Sequence, residues 1–128
     1  NRIQQWWLSS RGELANNGSV EINSPMALAA SPNEDVVWAA NWNDQLIRPY
    51  KVGATGQLAA AAPDVTAGGL NWPRALAVHP EGSHVYAVNH GGNTVSQYRV
   101  ADPVTGALAP LGTPTVATGA SPIAMTVY

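Results

Sequence analysis

The chain has 128 residues, enough for one domain, and 45% of them are hydrophobic, so it can bury a core. Charged residues are only 11% and the net charge is −2 with no basic run, which argues against nucleic acid and anionic membranes as partners. Cysteine is absent, excluding disulfides and thiolate metal sites, and no apolar run approaches the ~20 residues of a membrane-spanning helix.

With so few charges, the surface has to be made of Asn, Gln, Ser, Thr, Gly and backbone. That composition suits turn-rich β structure better than helices, whose outer faces normally carry Lys and Glu. The chain opens on Asn1 and carries no signal-peptide pattern. The compartment stays open between periplasmic or extracellular and cytoplasmic.

Taken in order, the chain reads as a repeat. Residues 1–24 begin with "NRIQQWWLSSRGEL", which fits "QLIRPYKVGATGQL" further on: Ile3 takes the place of Ile47, Trp6 of Tyr50, Leu8 of Val52, Gly12 of Gly56. Residues 25–72 open with "PMALAASPNEDVVWAANWNDQLIRPYKV". Residues 73–121 open with "PRALAVHPEGSHVYAVNHGGNTVSQYRV", which overlays it without a gap at an offset of 73 − 25 = 48. Residues 122–128, "PIAMTVY", restart the pattern. A period of about 40–50 residues signals propellers or helical arrays. Pro or Gly interrupts almost every window long enough for a helix, so β structure is expected.

Within residues 73–121 the runs "RALAV", "HVYAV" and "TVSQYRV" end at the turn signals "HPEG", "NHGGN" and "DPVTG". A fourth, irregular run lies around "LAPLGTPTVA", where prolines suit an edge strand. Four short antiparallel strands, lettered a (innermost) to d (outermost), make one propeller blade. The predicted fold is therefore all-β: a β-propeller of four-stranded antiparallel blades, about two and a half to three of them in this chain. Residues 1–24 supply strands c and d, residues 25–72 and 73–121 a full blade each, and residues 122–128 strand a of a next blade. Small residues are expected near the crowded axis (Ala27, Ala29, Ala75, Ala77, Ala124) and bulk in the middle strands (Val37, Trp38, Val85, Tyr86). Trp6, Trp38 and Trp72 read as packing residues, and Trp7 as an interface residue or a cap over the core.

Propeller loops alternate between two faces, and ligands gather where the d–a and b–c loops open. The sequence puts Asn41, Trp42, Asp44, Asn71, Trp72, Asn89 and Asn93 there as ligand-binding candidates. Amides beside an aromatic plate suit a polar, sugar-like or carboxylate-bearing small molecule. Arg74 is the candidate anion anchor, because a guanidinium grips a carboxylate in two places. His90 is the candidate general base, since imidazole titrates near neutrality. Asn41 and Asn89 share one repeat position, which also suits turn formers whose side chains bond their own backbone. No metal site is expected: His79 and His84 flank the turn "PEGS", whereas His90 ends the next strand, roughly 15 Å or more away at about 3.3 Å per residue. No cofactor motif is present.

"VYAVN" (residues 85–89) and "VVWAAN" (residues 36–41) resemble the YVTN-type propeller repeat. The longer phrase, with Pro-x-Ala-Leu-Ala, His-Pro-x-Gly, Val-Asn and Thr-Gly-x-Leu in order, resembles the lactonase family of seven-bladed propellers, which includes 6-phosphogluconolactonase-like and muconate-lactonising enzymes. The resemblance implies a lactonase-type hydrolase acting on a sugar or organic-acid lactone; in that reading His90, as base, and Arg74, as anion anchor, are the catalytic candidates. It implies histidine where this chain has Arg74 in the muconate-lactonising branch. The same repeat also builds binding scaffolds, so a non-enzymatic propeller that oligomerises and binds a polar molecule or a protein is the alternative. Fewer than three blades would expose faces built for burial, so the expected partners are further copies of the chain or the remainder of a longer propeller.

Overall fold

The computed structural model describes residues 1–128 and contains strands, turns and no helix. β1 (Arg2–Leu8) and β2 (Leu14–Glu21) form a two-stranded antiparallel hairpin. β3 (Pro25–Ala30), β4 (Val36–Asn41), β5 (Leu46–Val52) and β6 (Leu58–Ala60) form a four-stranded antiparallel meander in that order. β7 (Pro73–Val78), β8 (His84–Asn89), β9 (Thr94–Asp102) and β10 (Ala107–Ala117) form a second one. Within each sheet consecutive strands pair, as the short turns between them require. The outermost strands are the irregular ones: β6 has only 3 residues, and β10 slips register between Pro110 and Thr115, where proline cannot donate to a ladder.

The core lies between the sheets. Val36, Trp38, Ile47, Val85, Ala87 and Tyr98 interlock where the middle sheet meets the last one. Ile3, Ile22, Ala39 and Tyr50 interlock where the middle sheet meets the β1–β2 hairpin. Side chains of a strand alternate between faces, so Trp38 and Ala39, adjacent in β4, serve opposite interfaces. The middle sheet is thus covered on both sides and each outer one on a single side. Trp38 is 1% exposed, and its Nε1 donates to the Gly106 carbonyl at 2.7 Å, pinning the β9–β10 turn of the last sheet to the middle sheet. Tyr86 holds the matching position in β8 but faces outward, where no further sheet follows, and is only half-buried.

Residues 122–128 join no ladder here; as strand a of a next blade they would pair with a strand b that these residues do not include. Two expectations about tryptophans need correction. Trp6 is 56% exposed instead of packed, because Ile3 and Gln5 of β1 turn toward the middle sheet and alternation sends Trp6 the other way. Trp72 is also exposed, as described below; Trp7, at 55%, covers no core.

Candidate functional site

The d–a and b–c loops meet at one end of the sheets, and backbone bonds tie each b–c turn to the d–a segment beside it. Trp42 N–H donates to the Ser24 carbonyl at 3.1 Å, and His90 N–H to the Trp72 carbonyl at 3.1 Å. The residue before each blade-opening proline is left-handed in all three copies: Ser24 (φ 41°), Trp72 (φ 51°) and Ser121 (φ 51°).

Asn41 and Asn89 are the hubs of these turns. Asn41 accepts from Asp44 N–H at 2.8 Å and donates to the Asp44 carboxylate at 2.8 Å. Asn89 donates to Thr94 Oγ1 (3.1 Å) and Ser96 Oγ (2.8 Å) and accepts from Asn71 N–H (3.2 Å). Both are essentially inaccessible, at 1% and 0% exposure. Their expected place among ligand-binding residues is therefore corrected: a buried amide with its bonds spent on the turn has nothing left for a ligand. Asp44 is exposed, yet one carboxylate oxygen accepts from Asn41 and the other from Asn23 (3.1 Å), so it too braces the loops.

The side chains that remain free form a cluster. The indoles of Trp42 and Trp72 lie 5.6 Å apart at 15°, an offset stack, and His90 sits 5.6 Å from Trp42 at 36°. His90 Nδ1 lies 3.3 Å from the Pro122 carbonyl. In the tautomer that makes this bond, Nδ1 carries the proton and Nε2 is left as an acceptor. Arg74 follows Trp72 by two residues, on β7. Pro73 pairs directly with Asn89, and Arg74 is the extra residue of a β-bulge, since the next pair is Ala75 with Val88. Bulges re-aim side chains. Arg74 is half-buried and takes part in neither an ion pair nor a side-chain hydrogen bond. Asn93 is exposed; its Oδ1 accepts from Ser121 N–H at 2.8 Å, leaving its amide N–H groups free. Asn71 is exposed with an unengaged side chain.

None of the 4 clefts on the molecule is lined by His90, Arg74, Trp42 or Trp72. A propeller funnel is walled by all of its blades, so a chain with two complete ones presents its part as an open rim. Asp44 does line a polar cleft with Asn1, Glu21, Asn23 and Arg48. Arg48 there is engaged, its Nε 2.6 Å from Asp64, and that hydrogen bond holds the guanidinium more firmly charged than usual. The most enclosed cleft, about 240 Å³, lies at the other end, between Pro32 and Trp38 of the middle sheet and Gly82 and Val100 of the last. His79 and His84 lie at that end too, with ring centroids 6.3 Å apart, and no group of three or more His, Asp or Glu is placed to share a metal ion. Sequence reasoning missed the Pro122 carbonyl, since backbone acceptors leave no mark in a sequence, and the stacking of Trp42 on Trp72, although both loops were placed on one face.

Comparison with known proteins follows from this architecture. Residues 8–125 match the family described as Lactonase, 7-bladed beta-propeller. None of the curated proteins matches the chain. Among solved structures the chain is similar to the periplasmic gluconolactonase of Pseudomonas aeruginosa, with a TM-score of 0.81 at 20% identity over 96% of this chain and 35% of that one. It is also similar to candidate 6-phosphogluconolactonases from Bacteroides uniformis (TM-score 0.78, 16% identity, 91% and 36% covered) and Bacteroides fragilis (TM-score 0.75, 19% identity, 88% and 32% covered). The chain therefore spans about a third of the length of these proteins, and at such identities the likeness establishes the fold alone. No helix is long and apolar enough to cross a membrane.

Proposed function

We propose a lactone-hydrolysing function, starting from the premise that the chain belongs to the lactonase family of seven-bladed β-propellers. In this reading the chain contributes one sector of a ligand funnel. Arg74 holds the carbonyl or carboxylate oxygen of a sugar or organic-acid lactone. His90 Nε2 takes a proton from water as the water oxygen attacks the lactone carbonyl. The ring C–O bond then breaks and the proton passes to the departing alkoxide, giving the hydroxy acid. The observation that carries the reading is that the Pro73–Asn89 pair sets two groups at one end of the last sheet: a cation without a partner, on the bulge that follows Pro73, and an imidazole whose Nδ1 faces a carbonyl, on the turn that follows Asn89.

The test is acid release from δ-gluconolactone followed in a pH-stat. His90→Ala should lower kcat by about 100-fold or more, the usual share of a general base, and Arg74→Ala should mainly raise KM. Rates unchanged in both variants remove the reading.

Exposed apolar side chains favour completion by other protein as part of the same picture. Trp6 and Leu8 on β1, and Leu14 on β2, are each more than half exposed, at 56%, 63% and 64%. Surfaces of this kind mark interfaces. The wall missing from the funnel would come from the rest of a longer propeller or from further copies. Light scattering decides whether copies associate: a folded species at the 13.4 kDa of one chain would exclude self-assembly.

A further inference from the structure

Trp72 occupies a position that asks for a different residue. In the other two copies the same left-handed slot before proline holds serine, Ser24 and Ser121. A bulky aromatic side chain is disfavoured there, and the turn forms without it. Trp72 belongs to neither core cluster and is 47% exposed, so core packing does not account for it; what it touches is the Trp42 ring and the Gly91 turn. The neighbouring turn is also altered to receive it. Where the middle blade has Asn43, whose amide donates to Ser24 Oγ at 2.6 Å, the last blade has Gly91. A Cβ on Gly91 would stand 2.7 Å from Trp72 Cε3 and 2.7 Å from Asn71 Oδ1. The loop thus carries both a strained tryptophan and the hollow that admits it.

From these features we infer that Trp72, backed by Trp42, is a stacking platform for the apolar C–H face of a neutral pyranose-type sugar ring. The two indoles are too close to admit a ring between them, so Trp42 supports one side of Trp72 and the ligand lies on the open remainder. Asn71, the residue before Trp72, has an unengaged side-chain amide, and Asn93, on the turn that contains Gly91, keeps free N–H groups; both are uncharged partners for ring hydroxyls. His90, against Trp42, borders the same surface. Uncharged amides beside an aromatic plane match a polyol ring, which has a C–H face and a hydroxyl edge, better than they match an ion. The inference rests on the lactonase reading of this face and narrows its substrate to a ring able to stack.

The experiment is saturation-transfer NMR with titration of the protein by methyl β-glucopyranoside, compared with glucitol, a linear polyol, and with a triproline peptide. Saturation should be strongest at the axial C–H protons of one pyranoside face, and glucitol should bind far more weakly. Trp72→Ser, which installs the residue of the other two copies, should keep the circular dichroism spectrum and lose about tenfold in pyranoside affinity, the upper end of what one aromatic contact contributes. Trp42→Ala should weaken binding in the same direction. Equal binding by Trp72→Ser, equal binding of glucitol, or binding of triproline alone overturns the inference. Lactone turnover without pyranoside binding overturns the platform and leaves the hydrolase standing. Pyranoside binding that survives in a protein with no turnover keeps the platform and removes the hydrolase.

Discussion

Gly106→Ala tests how the last two blades are locked together. Gly106 sits in the β9–β10 turn at φ 76°, and its repeat equivalents Gly56 and Gly12 have φ 74° and 80°. An alanine at any of the three meets the same left-handed backbone penalty, about 1–2 kcal/mol. Their surroundings differ. A Cβ at Gly12 meets nothing within 4 Å, and one at Gly56 meets only the Asn17 side chain at 3.4 Å. At Gly106 it would lie 2.5 Å from Val36 Cγ1, 3.2 Å from Trp38 Nε1 and 3.3 Å from Pro49 Cβ. Val36 is fully buried and β-branched, so it cannot rotate aside. Overpacking of this kind costs about 1–3 kcal/mol, and a shift of the Gly106 carbonyl also weakens the buried bond from Trp38 Nε1. The expected loss is therefore about 3–5 kcal/mol for Gly106→Ala against about 1–2 kcal/mol for Gly56→Ala and Gly12→Ala. Urea unfolding followed by tryptophan fluorescence measures all three. A Gly106→Ala variant within about 0.5 kcal/mol of Gly56→Ala would refute the claim that this turn is wedged between blades.

Two further outcomes follow from buried groups. Asn89→Ala removes the acceptor of Asn71 N–H and the donor to Thr94 and Ser96; it should cost about 2–3 kcal/mol in the same urea assay, whereas Asn71→Ala, on the surface, should stay within about 0.5 kcal/mol. Burial pushes the Tyr98 hydroxyl up from 10.0 to about 12, and it donates to the Ala67 carbonyl at 2.7 Å. Its folded pKa exceeds the unfolded one, so its contribution is intact below pH 10 and is lost progressively as pH rises toward 12; Tyr98→Phe should flatten that part of the stability profile, and a slope unchanged in the variant would assign it to other groups.

The blades were legible because a β meander is a local structure. Alternating runs closed by "HPEG", "NHGG" and "DPVTG" dictate which strand pairs with which, and the offset of 48 between Pro25 and Pro73 carries the pairing of one sheet onto the next. The candidate site was half legible. The repeat identified the loops sharing a face, and side-chain chemistry on them singled out Arg74 and His90, with Trp42 and Trp72 among the ligand-binding candidates. It could not say that Asn41 and Asn89 lie beneath the surface, because burial there depends on the d–a segment folding over each turn.

From sequence alone come the strand order, the turns and the residue types at each loop, since these obey contacts between near neighbours in the chain. Tertiary packing decided everything that turns on what lies across an interface. Trp38 and Tyr86 share a repeat position, yet one is sealed against the Gly106 turn and the other faces outward. Trp6 and Tyr50 match as well, and only Tyr50 has a sheet to pack on. A repeat specifies which face a side chain takes; whether that face is covered, strained or open to a ligand depends on the blade next to it.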